Sequence, residues 1–397
     1  MLINELPDDC LMAIFEYVND LDDLINCYKV CVRWTYLITE RTKKAKYLQE
    51  DPHQTYVYEK HRWYDDSDYS DPFRYPINHV FYQGGNPIDV TCLNTLFPNL
   101  KILLFTNKFL CKMNRSDIVS FFGNLESLKG IIAESGNPFA ENCDKLEMVS
   151  AFASELSKIR NCSRIKQLYT GDFSLNAVKR YAHDFPNLEL LRTSILTKGS
   201  YHMSQVPVFE KLKILTLSTE NEEEIFDGFH FMDSCPNLQS AHITMEFNRF
   251  FVDETSKLEC LQDLVIIFKD DKRINRNDLI RLLMKYPNLK HLALRGARNL
   301  KDEHIKQLIH ILPNLVLFDV RGCPSVTRKA AYYIQDYCKR YGRSIKFYFI
   351  RNRHEIESDW PQLSTKNEKI SRGFDFMKHY FLKDNFELPH FLIPIDY

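Results

Sequence analysis

The sequence predicts an α/β protein: three short helices at the N-terminus, then a curved solenoid of strand–turn–helix units with short parallel strands inside and helices outside. Three observations carry that prediction. Apolar residues recur at helical spacing through the first forty positions. A Pro-Asn-Leu phrase returns along the remaining chain, and strand-like alternation with helical stripes follows it.

Leu11, Ile14, Phe15 and Val18 fall at i, i+3, i+4 and i+7, one face of a helix. Leu21, Leu24, Ile25 and Tyr28 repeat the pattern, and Val30, Trp34, Leu37 and Ile38 give a third stripe. Pro7 stands where a helix starts, since its missing N–H costs nothing there. No glycine precedes Gly84. Helices this short bury too little surface to stand alone, so their apolar faces are expected to await a partner.

Leu6-Pro7, the Leu11…Ile14-Phe15…Tyr17 run, Asp23-Leu24 and Val30-Cys31-Val32-Arg33-Trp34 resemble an F-box, over about a tenth of the chain. Cys10 departs from the pattern, where a larger aliphatic residue is commoner. The resemblance implies docking onto the Skp-type adaptor of cullin–RING ubiquitin ligases. It carries the adaptor contacts to Leu6, Pro7, Ile14, Phe15, Leu24, Val30, Cys31 and Trp34, some of which must also hold the helices together.

The basic run 41–46 is expected to continue the third helix as its solvated face. Residues 1–48 are thus the docking domain and 49–75, rich in acids, tyrosines and prolines without a clean period, a linker. The acids at 65–68 lack the glycine turn and closing glutamate of a calcium loop.

Residues 76–350 are expected to form the solenoid. Pro98-Asn99-Leu100, Pro186-Asn187-Leu188, Pro236-Asn237-Leu238, Pro287-Asn288-Leu289 and Pro313-Asn314-Leu315 are copies of one phrase, and weaker copies lead with Ile77, Leu125, Ile165, Leu212, Leu261 and Ile345. Eight of the ten steps between leading positions lie within the 20–29-residue period of leucine-rich repeats. The step of 40 marks an insertion or an unphased repeat around 133–160, and Gly130 puts the register of the Leu125 copy in doubt. Leu279, Leu282, Leu283 and Tyr286, then Ile305, Leu308, Ile309 and Leu312, are the helical stripes, with Asn277 and Asp302 as expected caps. The copy from Pro313 to Cys323 resembles the cysteine-containing repeat subtype of F-box proteins.

Composition narrows the function. Hydrophobic content of 44% with 26% charge is that of a folded soluble chain, and a net charge of −1 gives no bulk drive toward nucleic acid or anionic membrane. No apolar run spans a bilayer. Eleven scattered cysteines without a signal peptide lead us to expect reduced thiols in cytoplasm or nucleus. There is no glycine-rich phosphate loop. Cys27 and Cys31, four apart on an expected helix face, lack the second pair a zinc site needs. His183, His230, His242, His291 and His310 are expected on the repeat surface. The sequence therefore predicts neither metal nor cofactor, and a non-catalytic chain.

The resemblance implies a substrate receptor that brings an unknown target to ligase chemistry supplied through adaptor, cullin and RING subunits. Target contacts are expected on the concave strand face, at Arg192, His242, Asp263, His291, Arg295, Asp319 and Arg321. A repeat scaffold without a ubiquitin role, and an enzyme or ligand-binding receptor that uses the concave face, are the rival readings. Residues 351–397 are too apolar for a disordered tail. They are expected to cap the final repeat; a strap doubling back along the concave face is the alternative. Phe374, Met377 and Phe381 predict a helix there, and Leu388–Ile395 an extended segment.

Overall fold

The computed structural model describes residues 3–50, 77–82, 92–105, 114–133, 144–151, 162–173, 182–195, 209–219, 226–246, 249–269, 274–363 and 369–395. The chain forms two compact units, Met1–Arg164 and Ile165–Asp396.

In the first unit, helices α1 (Asp8–Phe15), α2 (Leu21–Tyr28) and α3 (Val32–Thr42) realise the three stripes. Asp20 caps α2 by accepting the Asp23 N–H at 3.1 Å. Because α2 ends at Tyr28 and Cys31 is the extended residue before α3, Cys27 and Cys31 do not share a helix face, contrary to the expectation. Lys43 and Lys44 are solvated as expected, but Arg41 is fully buried. Its guanidinium donates to the carbonyls of Phe15 (3.2 Å), Val18 (3.0 Å) and Ile77 (2.9 Å). Burial lowers its pKa to about 10, and these carbonyls replace the lost water.

Arg41 therefore ties the helices to a parallel sheet of β1 (Tyr47–Glu50), β2 (His79–Tyr82), β3 (Ile102–Phe105), β4 (Gly130–Ala133) and β5 (Met148–Ser150), ordered β5-β4-β3-β1-β2, with α4 (Leu93–Leu96) before β3 and α5 (Arg115–Asn124) before β4. Residues 49 and 50, the first of the expected linker, belong to strand β1, which pairs with β2 along its length and with β3 at Tyr47 and Leu48. The remainder of the expected linker, 51–75, lies outside the described residues, as does much of 133–160.

Strands β2–β4, and those after them up to the one starting at Leu317, start two residues after a leading leucine or isoleucine, which settles the doubtful repeat. The strand after Ile345 starts only one residue on, so the expected Ile345 copy is out of phase by one. β4 follows Leu128, not Leu125, and β5 follows Leu146, a copy that lacks the phrase. Gly130 is there because the strands come close: a Cβ would meet Ile102 and Met148 at 3.3 Å.

The second unit carries β6 (Gln167–Phe173), β7 (Leu190–Ile195), β8 (Ile214–Thr219), β9 (Ser240–Met245), β10 (Asp263–Phe268), β11 (His291–Arg295), β12 (Leu317–Asp319) and β13 (Lys346–Tyr348) in sequential parallel order. Between them run α6 (Gly228–Met232), α7 (Arg276–Leu283), α8 (Asp302–Ile311) and α9 (Arg328–Tyr341). The repeated phrase has a physical cause. Its leucines are buried, and its asparagine amides reach back one repeat, Asn237 to the Glu210 carbonyl (2.7 Å), Asn288 to Glu259 (2.9 Å) and Asn314 to Pro287 (3.0 Å). Each repeat thus satisfies a turn carbonyl of the one before it. The caps differ from expectation. Asn275 caps α7, and Asp302 accepts from Thr327, in the next repeat, at 2.7 and 2.6 Å.

The C-terminal segment corrects the expected cap. Its first part closes the array's end: Asn352 accepts from the Phe349 N–H and donates to the Phe347 carbonyl, each at 2.9 Å, and Asp359 accepts from the Tyr348 hydroxyl at 2.8 Å. Beyond it come α10 (Ile356–Asp359), β14 (Ile370–Arg372), the single turn α11 (Phe376–His379) and β15 (Phe391–Ile393), with β14 and β15 paired in parallel. Phe376, Tyr380, Phe381, Leu388 and Leu392 pack on Leu190, Ile214, Val265, Ala293 and Leu317 of the strands. The alternative strap is the arrangement found, because the strand face carries an apolar row that must be covered. The predicted helix shrinks to α11, since Gly373, at φ +92°, turns the chain just before it.

Candidate functional site

Two surfaces match the residues singled out by sequence. On the first unit, the proposed docking set divides. Phe15, Leu24 and Trp34 are buried, with the Phe15 and Trp34 rings edge-to-face at 4.9 Å, so they hold the helices together. Leu6 is half-buried, and Pro7, Cys31, Ile14 (42% exposed) and Val30 (53%) lie open.

Arg33 brings the N-terminal turn to the start of α3. It donates to the Asn4 carbonyl at 2.7 Å, to the Leu6 carbonyl at 2.5 Å and to the Asp8 carboxylate at 2.7 Å. Two residues escape the sequence reading: Arg33 as this fastener, and Val32, 89% exposed. Val32 lies off every apolar stripe, so periodicity gave no signal for it; an aliphatic off-stripe residue at a helix start was the available clue.

On the second unit, the parallel register lines up the expected target residues. Arg192, Thr216, His242, Val265 and Ala293 share one row, and Asp263 and His291 are neighbours in another. Arg192 is buried over the Tyr169 ring (4.5 Å) and donates to the carbonyls of Asn385, Leu388 (2.6 Å) and Pro389 (3.4 Å). Burial lowers its pKa. His242 contacts the Lys383 carbonyl through Nε2 at 2.9 Å, and burial, helped by Arg295 and Arg192, drives its pKa down to about 3.

Arg295 donates to Asp319 (2.9 Å) and to the carbonyls of Phe381, Leu382 (3.2 Å) and Lys383 (3.3 Å). Burial alone would raise the Asp319 carboxyl, but Arg295 and Arg321 outweigh it and bring its pKa to about 2. Asp263 accepts from Ser240 and meets His291, both at 2.6 Å.

The expectation of an open target face therefore needs correction. Arg192, His242 and Arg295 are buried beneath the strap and hold its backbone, and buried Asp319 pairs with Arg295 and Arg321, while Asp263, His291 and Arg321 are partly exposed at its margin. The cause is chemical: an extended strap presents carbonyls, and guanidinium and imidazole groups supply donors for them.

Histidine placement also differs from expectation, since His230 and His242 are buried; His183 and His310 are exposed. His230, Asp233 and Asp253 offer ligand atoms within 4.8 Å of one another. The Lys285 ammonium, however, already donates to both Asp233 oxygens at 2.6 and 2.7 Å. The Cys323 thiol is buried against the Leu294 carbonyl (3.2 Å) and pushed up to about 12, which leaves no thiolate for nucleophilic chemistry.

With that geometry in hand, residues 3–42 match the F-box-like family, whose span ends where α3 ends. The chain joins an F-box-like domain to leucine-rich repeats. Among solved structures it is similar to a chain of the yeast Rad7 and Elc1 complex, at 17% identity over 63% of this chain and 77% of that one, TM-score 0.36. It is also similar to the leucine-rich repeat-containing protein LegL7 from Legionella pneumophila, at 13% identity over 63% of this chain and 85% of that one, TM-score 0.37. Comparison with curated proteins gives no match.

Proposed function

We propose that this chain is the substrate-recognition subunit of a Skp-type cullin–RING ubiquitin ligase. The F-box-like helices dock on the Skp-type adaptor, and the repeat array with its strap holds a target protein for ubiquitination. One observation carries the docking half: within the matched segment, Pro7, Ile14, Val30, Cys31 and Val32 stay exposed although Phe15, Leu24 and Trp34 already satisfy the helical core. Exposed aliphatics beside a complete core mark a surface that a partner covers.

In this role the chain performs no bond chemistry. It raises the local concentration of a target lysine at a ubiquitin-loaded enzyme recruited through cullin and RING subunits. The reading places the protein in the cytoplasm or nucleus, where that machinery works. Affinity capture of the full-length chain from cells tests it. Adaptor and cullin should be recovered together, and their absence from the recovered proteins would leave a repeat scaffold without a ubiquitin role.

A further inference from the structure

We propose that the cleft between the first residues of β7–β10 and the Phe374–Met377 turn of the strap takes a lysine or arginine side chain of a target polypeptide. The proposal rests on the target-receptor reading above and names the chemistry of the target. The strap fills the middle of the strand face, but at the strand starts a cleft of about 470 Å³ stays open. That lies within the range of roughly 300–1,000 Å³ common for ligand sites.

The wall supplied by the strap is held in place before any ligand arrives. Gly373 turns the chain and donates its N–H to the Ile393 carbonyl at 2.7 Å. Asp375 caps α11 by accepting the Lys378 N–H at 3.0 Å. Phe376 is buried beneath the turn, while Phe374 stands 52% exposed at its tip. A side chain entering here therefore orders little protein, which favours binding.

The charges select the ligand. Glu189, Asp263 and Asp375 line the cleft against Lys213 alone, and Lys213 is paired with Glu189 at 2.8 Å. Ser240 and His291 engage the two oxygens of Asp263. Only Oδ1 of Asp375 is used, and Oδ2 has no partner among the described residues. The excess negative charge repels a carboxylate or phosphate and attracts a cation.

The floor explains why that cation belongs on an aliphatic stem. Leu190, Ile214 and Phe376 form an apolar base, on which methylenes can rest while the charged head stays at the wet rim. Phe374, exposed on the same cleft, adds an aromatic ring on which such a head can stack. The volume leaves room for an apolar residue flanking the cation.

Fluorescence polarisation of full-length protein with short fluorescein-labelled peptides tests the proposal. The peptides carry one central Arg or Lys next to Leu, and matched controls carry citrulline or norleucine instead. The Arg and Lys peptides should bind at least about tenfold more tightly than the neutral ones. Asp375→Asn, which keeps the cap acceptor, and Phe374→Ala should each weaken them to a similar degree, with unchanged melting temperature. Equal binding of citrulline peptides, no binding at millimolar peptide, or full affinity in both variants would overturn it. Adaptor capture is read separately. Its loss with peptide selectivity intact overturns the ligase reading and leaves the cleft assignment standing.

Discussion

Gln167 and Leu392, 225 residues apart, pair as two strand residues would: the Leu392 N–H donates to Gln167 Oε1 at 2.9 Å, and Gln167 Nε2 donates to the Leu392 carbonyl. A side-chain amide thus recognises the backbone of the strap. Gln167→Ala leaves both main-chain groups buried and unpaired. Stability should fall by about 1–3 kcal/mol, measured by chemical denaturation.

A chain ended after Leu363 keeps the Asn352 closure of the final strand but loses β14, α11 and β15. It should expose Leu190, Ile214, Val265 and Leu317, bind a hydrophobic dye and melt at lower temperature. Burial of each lost large apolar side chain contributes about 2 kcal/mol, so the effect is large. Melting identical to that of the full chain would show that the strap adds no stability.

On the F-box-like helices, exposure separates docking from folding. Ile14→Asp and Val32→Asp should each abolish adaptor capture with no change in thermal stability, because both side chains face solvent. Trp34→Ala, by contrast, empties a buried site against Phe15 and should destabilise the first unit by about 3 kcal/mol. Normal adaptor capture by both aspartate variants would remove Ile14 and Val32 from the interface.

Acid should weaken the second unit through two buried groups. Asp319, lowered from 3.8 to about 2, contributes stability that is present above its ordinary value and lost as pH falls through that window. His242, lowered from 6.5 to about 3, is neutral in the folded chain. The unfolded chain takes up a proton below 6.5, so stability falls as pH drops from there toward 3. The Asp319→Asn variant should be less stable than wild type at neutral pH, with a gap that narrows below about pH 4. The His242→Gln variant should lose less stability than wild type between pH 6.5 and 5. Denaturation at a series of pH values checks both.

Much of the architecture was readable because its signals are local. The Pro-Asn-Leu phrase writes a repeat's asparagine ladder and buried leucine into three adjacent residues, so the copies at Leu188, Leu238, Leu289 and Leu315 phase correctly, whereas the Ile345 copy, which lacks the phrase, is out by one residue. The Leu128 and Leu146 copies were misphased or missed because neither carries the phrase, and Gly130 hid a strand behind a residue with no strand signal. On the helices, the amphipathic stripes predicted α1–α3, but a stripe marks what is buried somewhere. It does not tell whether its own core or a partner does the burying, and Phe15, Leu24 and Trp34 proved to be core.

By itself, then, the sequence determined the F-box-like helices, the leucine-rich repeats and the rows that Arg192, His242 and Arg295 occupy, since each follows from spacing within one short segment. Only the tertiary structure decided that residues 369–395 lie on those rows, turning an expected open target face into an intramolecular contact. The reason is physical. Strand periodicity sets which face a side chain points to, whereas what covers that face depends on apolar surface and carbonyls supplied from far along the chain, a match no local pattern encodes.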